Sequence, residues 1–318
     1  TSELVRNFAK RERRVRLINR FGRSGLSSAI KEGSLCASGD LIVVMDADGQ
    51  HETNSIKDSL NILEKEKVDI VIGSRFLDGS VIKGLTKQRK KGSSLANFLS
   101  RLSLYGKYNH ITDYMSGFMI FKRIACIKYI EKIDVNGFKF LYELLAISKG
   151  KLKVKETPLA FQLRTYGNSK LDISIGWDFF ISLIHNFSGR LLPRRAVSFA
   201  LVGSSGVLVQ FLVIYTLLWN TQFNFEAILP IGVIVAATSN YIINNLLTFR
   251  SRKLKGKRFY FGLLKFLLVS SLPIIANIGV TNLFYNQFSS NTLISQLAGI
   301  IVVFIWNYAA SSKVVWNN

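Results

Sequence analysis

One stretch of this chain reads Leu41-Ile-Val-Val-Met-Asp46-Ala-Asp48-Gly-Gln-His51. Its apolar half predicts a strand that is buried on both faces of a sheet. Asp46 and Asp48 follow this strand, and side chains two residues apart on an extended chain point to the same side. Open α/β sheets bind ligands at the carboxyl ends of their strands. The two carboxylates therefore indicate a site for a hard divalent cation, with an ordinary solvated turn as the alternative.

Charge and hydrophobicity are distributed unevenly along the chain. The 318 residues carry a formal net charge of +22, yet 48% of them are hydrophobic. Of the 20 acidic residues, only Glu226 lies beyond Asp178. The first part thus has the composition of a soluble domain, and the last part that of a membrane domain. Because many basic residues flank long apolar runs, they indicate anionic lipid as a partner and not nucleic acid.

Four long apolar runs follow Arg195. They cover residues 196–219, 227–249, 259–285 and 293–315, and none contains an acidic residue. Each is long enough for the ~20 residues that cross a bilayer core. The alternative is a set of buried helices in a large soluble fold, but four such runs leave no polar face for water. The sequence therefore predicts an all-α transmembrane bundle of four helices.

The segments between these runs predict the orientation. Residues 220–226 and 286–292 contain no Lys or Arg, whereas Arg250, Arg252, Lys253, Lys255, Lys257 and Arg258 all lie in the middle connection. Cytoplasmic loops of membrane proteins carry the excess of basic residues. We therefore expect an integral, multi-pass protein whose catalytic domain and both termini are cytoplasmic.

Strand-like and helical patterns alternate in the soluble part. Strands are predicted at 15–18, 41–45 and 68–72, and helices at 25–37 and 54–65. This alternation is typical of an α/β domain with a mainly parallel sheet. The chain opens at Thr1 inside a predicted helix, with no strand before it, so we expect it to be part of a longer protein.

Several motifs occur in an order that resembles one enzyme family. They are Gly22-Arg-Ser-Gly25, Asp46-Ala-Asp48-Gly-Gln50-His51, Gly73-Ser-Arg75, Asp113-Tyr-Met-Ser116-Gly-Phe118, Gly137-Phe-Lys139-Phe140 with Glu143, and Arg164-Thr-Tyr-Gly-Asn-Ser169-Lys170. Together they resemble the GT-A, family 2 glycosyltransferases, and most closely the dolichol- or polyprenyl-phosphate mannose and glucose synthases. The four apolar runs, with Asn240, Asn244-Asn245 and Trp306-Asn-Tyr308, resemble the GtrA-like membrane domain that is often fused to them.

The resemblance implies three segments. Residues 1–170 would form the GT-A domain, 171–194 juxtamembrane interfacial helices, and 195–318 the GtrA-like domain. The family's first strand and its nucleobase-binding turns would lie before Thr1. Residues 171–192 combine apolar side chains with few charges, and Trp177 suits the headgroup boundary, as expected for an amphipathic helix at the membrane surface. The Gln-x-x-Arg-Trp signature of polymer-forming relatives is absent from the sequence.

The resemblance also assigns site residues. The catalytic set is Asp46, Asp48, Arg75 and Asp113, and the metal ligands, for Mg²⁺ or Mn²⁺, are Asp46, Asp48 and Gln50. The nucleotide-sugar donor would contact Gly22, Asp46, Asp48, Arg164, Ser169 and Lys170. The acceptor phosphate would contact Arg75, Arg89 and Ser116. His51 is expected to support the site from behind or to lie at the surface.

Simpler roles remain open for three of these features. The basic cluster of residues 87–91 is also explained by attraction to anionic headgroups. The segment 164–170 could be a solvated basic loop, although Gly167 permits the bend that a closing loop needs. Asp113 could cap a helix or turn.

These observations favour an inverting, metal-dependent hexosyltransferase. It would move a single hexose from a nucleotide sugar, GDP-mannose or UDP-glucose, to a membrane polyprenyl or dolichyl phosphate on the cytoplasmic face. Inversion follows from a single displacement, since no enzyme nucleophile is evident. One alternative is a membrane protein that assists translocation of a lipid-linked sugar, with an accessory or inactive transferase part. Another is transfer to diacylglycerol or ceramide. The oligomeric state stays open.

Overall fold

The protein consists of two compact units, Thr1–Gly189 and Arg190–Asn318. The computed structural model describes residues 2–21, 25–82, 87–134, 139–162, 173–287 and 292–316. The first unit extends to residue 189, so it includes much of the segment predicted to be interfacial. The boundaries that the resemblance implies, after residue 170 and before residue 195, stay predictions.

The first unit combines strands and helices. In the described residues its strands are β1 Leu41–Val44, β2 Ile70–Ser74, β3 Val81–Ile82, β4 Met119–Lys122, β5 Val154–Pro158 and β6 Ala160–Phe161. Its helices are α1 Ser2–Arg11, α2 Leu26–Cys36, α3 Asn54–Lys65, α4 Lys87–Ser103, α5 Arg123–Ile130, α6 Phe140–Ser148 and α7 Ile173–Phe187. The predicted helix at 54–65 is confirmed residue for residue.

The main sheet is mixed, so the expectation of a mainly parallel sheet is not confirmed. Its strand order is β1-β4-β2-β5. Strand β4 runs antiparallel to both β1 and β2, while β2 and β5 are parallel. Strands β1, β2 and β5 therefore share one direction, as the alternating pattern predicted, but β4 is inserted between the first two. A separate parallel pair joins β3 and β6.

Two local expectations for this unit were wrong. Residues 15–18 form no strand, because they lie in an irregular segment between α1 and α2. Strand β1 is not buried on both faces, since Leu41 and Val43 are 37% and 39% exposed. Among the described residues β1 pairs only with β4, so it is an edge strand, and the face that carries Leu41 and Val43 is not covered by a helix. Strand β2, by contrast, is buried along its whole length.

The core of the first unit lies on both faces of the sheet. Alternate residues of β2 and β4 point to opposite faces. Ile70, Ile72 and Met119 belong to a large cluster with the apolar residues of α6. Val71 and Ile120 pack on the other side with Leu63 of α3. Around β2 and β4, the sheet thus lies between helices that cover both of its faces, and the polar loops lie at the ends of its strands.

Helix α7 is amphipathic and packs on the first unit. The rings of Phe179 and Tyr142 meet edge to face at 5.9 Å, and Asn186 Nδ2 donates to the Ser103 carbonyl at 2.6 Å. Phe180 is exposed, and Phe187 is partly exposed with its ring edge to face with Tyr105 at 5.8 Å. One face of α7 therefore packs on the rest of the first unit. Contact of its other face with the membrane stays a prediction.

The second unit is helical. Its described elements are α8 Arg194–Asn220, α9 Phe225–Ile243, a π-helical turn Asn244–Thr248, a 3₁₀ turn Arg250–Arg252, α10 Lys257–Gln287, α11 Thr292–Ala310 and a second π-helical turn Ser311–Val315. Within the described residues, three segments are long and apolar enough to cross a membrane: Arg194–Asn220, Phe225–Thr248 and Ala298–Val315. The predicted run 259–285 falls on α10. A count of four spans stays a prediction.

Candidate active site

The polar loops of the first unit meet at one edge of the main sheet. Val44 at the end of β1 and Ile72 in β2 both lie opposite Met119 at the start of β4. The residues that follow β1 and β2 and the residues that precede β4 therefore emerge at the same level. This arrangement brings together the loops that contain Asp46, Arg75 and Asp113.

The loop after β1 is a tight turn stabilised by its own polar groups. The backbone N–H of Asp46 donates to His51 Nδ1 at 3.1 Å. The backbone N–H of Gln50 donates to Asp48 Oδ1 at 3.1 Å. Gly49 adopts φ 79, a left-handed conformation that glycine accepts without strain. Asp46 and Asp48 are both partly buried, so the turn presents them in a fixed arrangement.

His51 is buried beneath this turn. It is 6% exposed, and its ring meets Phe118 edge to face at 5.7 Å. Burial lowers the pKa of His51 below its ordinary value, although the charges of Asp46 and Asp48 act in the opposite direction. A neutral ring can accept the Asp46 N–H at Nδ1. His51 therefore supports the twin-aspartate turn from inside the protein and not from the surface.

Gln50 ties the turn to the segment after β6. Its Nε2 donates to the Gln162 carbonyl at 3.0 Å, and the Gln162 N–H donates to the Gln50 carbonyl at 3.0 Å. The Gln50 side chain is 5% exposed. Because Nε2 is engaged in this way, Gln50 would bind a metal through Oε1. Its role as a ligand stays a prediction.

Arg75 and Asp113 form a two-point ion pair at the same edge. Arg75 Nε donates to Asp113 Oδ2 at 2.7 Å and Nη2 donates to Oδ1 at 2.9 Å. Asp113 is fully buried, and the Arg75 side chain is 13% exposed. Burial opposes the charge of Arg75, but the hydrogen bonds and charge of Asp113 raise its pKa above the ordinary value. The guanidinium is thus a fixed, permanently charged group.

The loop that carries Asp113 is anchored by Glu156 of β5. Glu156 accepts the backbone N–H groups of Thr112 at 2.8 Å and Asp113 at 3.0 Å. Burial raises the pKa of Glu156, and these two hydrogen bonds partly offset that effect. Since β5 lies beside β2 in the sheet, Glu156 fixes the position of Asp113 relative to Arg75.

Ser116 and Gly117 shape the wall next to Asp46. Ser116 Oγ donates to the Gly73 carbonyl at 2.6 Å and accepts the Phe118 N–H at 3.1 Å. Its hydroxyl hydrogen is therefore engaged with backbone, and an acceptor-phosphate contact stays a prediction. A Cβ on Gly117 would lie 2.8 Å from Asp46 Oδ2, which is too close. Gly117 thus makes room for the carboxylate.

Lys139 adds a further cation to this group of charges. It is the residue before α6 and lies within electrostatic range of Arg75, Asp113 and Asp46. Burial, reinforced by the charge of Arg75, lowers the pKa of Lys139. This site therefore combines the carboxylates of the β1 loop with two nearby cations, Arg75 and Lys139, and such a combination suits a phosphate ligand bound with a cation.

The remaining predicted residues are outside the described part of the chain. Gly22, Arg164, Ser169 and Lys170 all fall in segments that the structure does not describe. Arg89 lies on α4, but its side chain is likewise outside the description. Their assigned contacts stay predictions.

Comparisons with known proteins cover nearly the whole chain. The model of glycosyl transferase family 2 matches residues 1–130, and that of the GtrA/DPMS transmembrane domain matches residues 198–316. The chain is 32% identical over 310 residues to a dolichol-phosphate mannosyltransferase of Pyrococcus furiosus, spanning 95% of this chain and 83% of that protein.

This chain belongs to glycosyl transferase family 2 and carries a GtrA/DPMS transmembrane domain. A dolichol-phosphate mannosyltransferase of Mycosarcoma maydis is 31% identical over 208 residues, or 65% of this chain and 66% of that protein. A dolichyl-phosphate beta-glucosyltransferase of Trichomonas vaginalis is 31% identical over 183 residues, or 55% of this chain and 52% of that protein. The resemblance inferred from the motifs is confirmed. The protein is a membrane-bound glycosyltransferase.

Two residues of this glycosyltransferase site were given no role in the sequence analysis. Glu156 acts through the backbone of the Asp113 loop. The signal that could have indicated it is the alternation of the strand, which places Glu156 on the same side as the apolar Val154, since a carboxylate on a buried side needs a partner. Lys139 belongs to the motif Gly137-Phe-Lys139-Phe140, but the motif alone did not indicate that Lys139 lies near Arg75, Asp113 and Asp46.

Proposed function

We propose that this glycosyltransferase transfers a single hexose from a nucleotide sugar to a polyprenyl or dolichyl phosphate at the cytoplasmic face of the membrane. The observation that carries this proposal is the shared sheet edge of the twin-aspartate turn and the Arg75–Asp113 pair. The named activities of the three relatives support the same substrate classes. The charge cluster around Asp46, Arg75 and Asp113 also favours an active transferase over an inactive part that merely accompanies the transmembrane domain.

The residues at this edge fit a divalent cation bound together with substrate. In the described part of the chain, no group of three or more His, Cys, Asp or Glu side chains is arranged to hold a metal by itself. Mg²⁺ commonly binds one or two carboxylates and takes its other oxygens from phosphates and water. Asp46 and Asp48, with Gln50 as the third ligand, fit Mg²⁺ or Mn²⁺ in this way. When bound, the cation would stabilise the charge of the departing diphosphate as a Lewis acid.

The acceptor would be ionised before it reaches the enzyme. The second pKa of a phosphate monoester is about 6, so most of it is a dianion at neutral pH. No general base is then required. Arg75, whose orientation is fixed by Asp113, would hold the phosphate by charge-assisted hydrogen bonds, since guanidinium groups match phosphate oxygens in shape and charge. Lys139 would add to the positive potential.

The proposed reaction is one displacement at the anomeric carbon. An oxygen of the lipid phosphate forms a bond to C1 of the hexose as the bond from C1 to the nucleoside diphosphate breaks. The electron pair leaves with the diphosphate, and no proton is transferred. Because the acceptor attacks opposite the leaving group, the configuration at C1 inverts. The enzyme contributes orientation and electrostatic stabilisation, which can account for large rate enhancements.

A donor and acceptor screen tests this proposal directly. Membranes that carry the protein would be incubated with labelled GDP-mannose or UDP-glucose and with a short polyprenyl phosphate. We expect one labelled hexose in the lipid fraction, released by mild acid, with one of the two donors. Label that appears only on diacylglycerol or ceramide, or no lipid label with either donor, would overturn the assignment.

The cytoplasmic location can be tested with a native cysteine. Cys36 is exposed in the first unit and Cys126 is buried. A membrane-impermeant maleimide should therefore label Cys36 in inside-out vesicles but not in intact cells, and the Cys36→Ser variant should show no label. Labelling of intact cells would place this unit on the external side and contradict the orientation predicted from the loop charges.

A further inference from the structure

The second unit contains an internal duplication with a spacing of 67 residues. Phe199-Ala-Leu-Val-Gly-Ser204 corresponds to Phe266-Leu-Leu-Val-Ser-Ser271, and Asn240-Tyr241 corresponds to Asn307-Tyr308. Each pair of equivalent residues is 67 positions apart. Helices α8 and α9 thus form one half of the unit, and α10 and α11 form the other.

The backbone of the two halves repeats the same irregular feature. Helix α9 ends in a π-helical turn that begins at Asn244, and α11 ends in one that begins at Ser311, again 67 residues later. The Phe249 N–H donates to the Asn244 carbonyl at 2.8 Å, and the Trp316 N–H donates to the Ser311 carbonyl at 3.2 Å. Phe249 and Trp316 then stack on each other with their centroids 4.2 Å apart. Such turns are frequent at functional sites.

A cavity of about 140 Å³ lies between the two halves. Three equivalent pairs line it: Phe199 and Phe266, Gly203 and Ser270, and Asn240 and Asn307. Asn244 also lines it. We refer to it as the asparagine cavity. Because both members of each of these pairs contribute, the cavity lies where equivalent positions of the two halves meet.

The amide oxygens of this cavity lack partners. Among the described residues, Oδ1 of Asn240, Asn244 and Asn307 is buried and accepts no hydrogen bond. Asn244 is only 1% exposed as a residue. An unsatisfied buried acceptor is costly, and three around one cavity are unusual. The adjacent Asn245 provides a contrast, since its Oδ1 accepts both the Leu254 N–H at 2.9 Å and the Trp316 Nε1–H at 3.1 Å.

The three oxygens require a ligand that donates hydrogen bonds. An anion without O–H or N–H groups, such as sulfate, cannot satisfy them because it offers no donors. A cation is disfavoured by the charges nearby, since Arg195 and Arg194 lie four and five residues before Phe199 on α8. The only acidic residue of this unit, Glu226, precedes Asn240 by 14 residues, which is about 21 Å along a helix at ~1.5 Å per residue. A neutral donor fits these conditions best.

The volume of the cavity and its apolar walls restrict the chemical class of the ligand further. One water occupies about 30 Å³ in the liquid, so the cavity would hold about four waters or one small polyol. The rings of Phe199 and Phe266 offer apolar surfaces for C–H groups. We propose that the asparagine cavity binds a small neutral group that carries several hydroxyls, either a free polyol or the hydroxylated head group of a lipid. The proposal does not depend on the reaction in the first unit.

Side-chain amide NMR can test this binding. The whole protein, labelled with ¹⁵N-asparagine, would be placed in phosphatidylcholine nanodiscs. One arm adds glycerol or myo-inositol in solution, and the other includes monoglucosyl diacylglycerol in the nanodisc. We expect saturable shifts of the Asn240, Asn244 and Asn307 amides in at least one arm, and the responding arm identifies the source. The amide of Asn220, which is bonded to the Thr216 carbonyl near the end of α8, serves as the reference.

Variants separate ligand binding from a structural role. Asn244→Leu should weaken the binding at least tenfold while the melting temperature is unchanged, because this variant removes an acceptor that has no partner. Asn245→Leu should lower the melting temperature, because it leaves the Leu254 and Trp316 donors unpaired. If Asn244→Leu does not fold, Asn307→Leu provides the same test from the other half.

Two results would overturn the proposal. One is that the three amides shift no more than Asn220 in both arms, which would indicate a cavity that holds only water. The other is that Asn244→Leu and Asn307→Leu bind the probes as tightly as the unmodified protein.

Discussion

The candidate active site and the asparagine cavity differ in whether their buried polar side chains have hydrogen-bond partners within the protein. At the sheet edge, Asp113 is held by Arg75, and the hydroxyl of Ser116 is bonded to the Gly73 carbonyl. In the cavity, the amide oxygens of Asn240, Asn244 and Asn307 have no partner among the described residues. The first site is therefore oriented before its substrates arrive, which lowers the entropic cost of reaction. In the asparagine cavity, the amide oxygens gain hydrogen bonds only when a ligand binds.

The largest effect of a substitution should come from breaking the buried ion pair. Asp113→Ala would leave the Arg75 guanidinium charged and uncompensated in a buried position. Loss of one partner of a buried pair typically costs about 3–5 kcal/mol. We expect the backbone amides of β2 and β4 to lose hydrogen-exchange protection by an amount of this order.

A surface ion pair in the same unit is the matched control. Lys155 Nζ lies 2.6 Å from Glu66 Oε2, but both side chains are about half exposed. Glu66→Ala should therefore change the protection by less than about 1 kcal/mol. Equal losses in the two variants would show that the Arg75–Asp113 pair does not organise this edge, and the contrast drawn above would fail.

A smaller effect is expected from crowding the twin-aspartate turn. Gly117→Ala would place a Cβ 2.8 Å from Asp46 Oδ2, so the carboxylate must move. Misplacement of a positioned group by about 1 Å can reduce a rate by up to about 10²-fold. We expect a 10- to 100-fold lower rate of hexose transfer at saturating donor, with little loss of stability.

Another glycine substitution controls for the change of residue type. A Cβ on Gly33, within α2, would have no atom within 4 Å. Gly33→Ala should leave the transfer rate unchanged and stabilise the helix by about 1 kcal/mol. If Gly117→Ala transfers hexose as fast as Gly33→Ala, the fixed position of Asp46 is not important for the reaction.

A helix or strand was predictable from the sequence when its own residues determine its structure. The helix at Asn54–Lys65 follows from the spacing of its apolar residues, and β1 and β2 follow from short apolar runs ended by polar residues. Residues 15–18 show the limit of this reasoning. The segment is rich in apolar and β-branched residues, as in a strand, but a strand also needs a neighbour to pair with, and a local pattern does not specify one.

Long-range pairing was not predictable in the same way. The direction of β4 depends on two partners at once, so the mixed sheet could not be inferred from a run of four residues. The motifs indicated both Arg75 and Asp113, but their ion pair joins residues 38 positions apart. The support from Glu156 comes 43 positions after Asp113. Such contacts are set by the topology of the sheet.

The duplication of the second unit was also difficult to recognise from the sequence. Apolar side chains in a membrane helix can be exchanged for one another with little cost, so most equivalent positions of the two halves differ. The relationship is visible in the pair Asn240 and Asn307 and in the two π-helical turns, which are closed by equivalent backbone hydrogen bonds. The correspondence became evident when the equivalent residues were found around one cavity.

The metal-binding role of the twin aspartates is the central claim, and one assay tests it most directly. Hexose transfer to polyprenyl phosphate would be measured for Asp48→Ala and for Asp58→Ala, which removes an exposed aspartate of α3. We predict that Asp48→Ala lowers turnover by at least about 10²-fold at saturating Mg²⁺ or Mn²⁺, while Asp58→Ala has no effect. Equal turnover in the two variants would contradict the account.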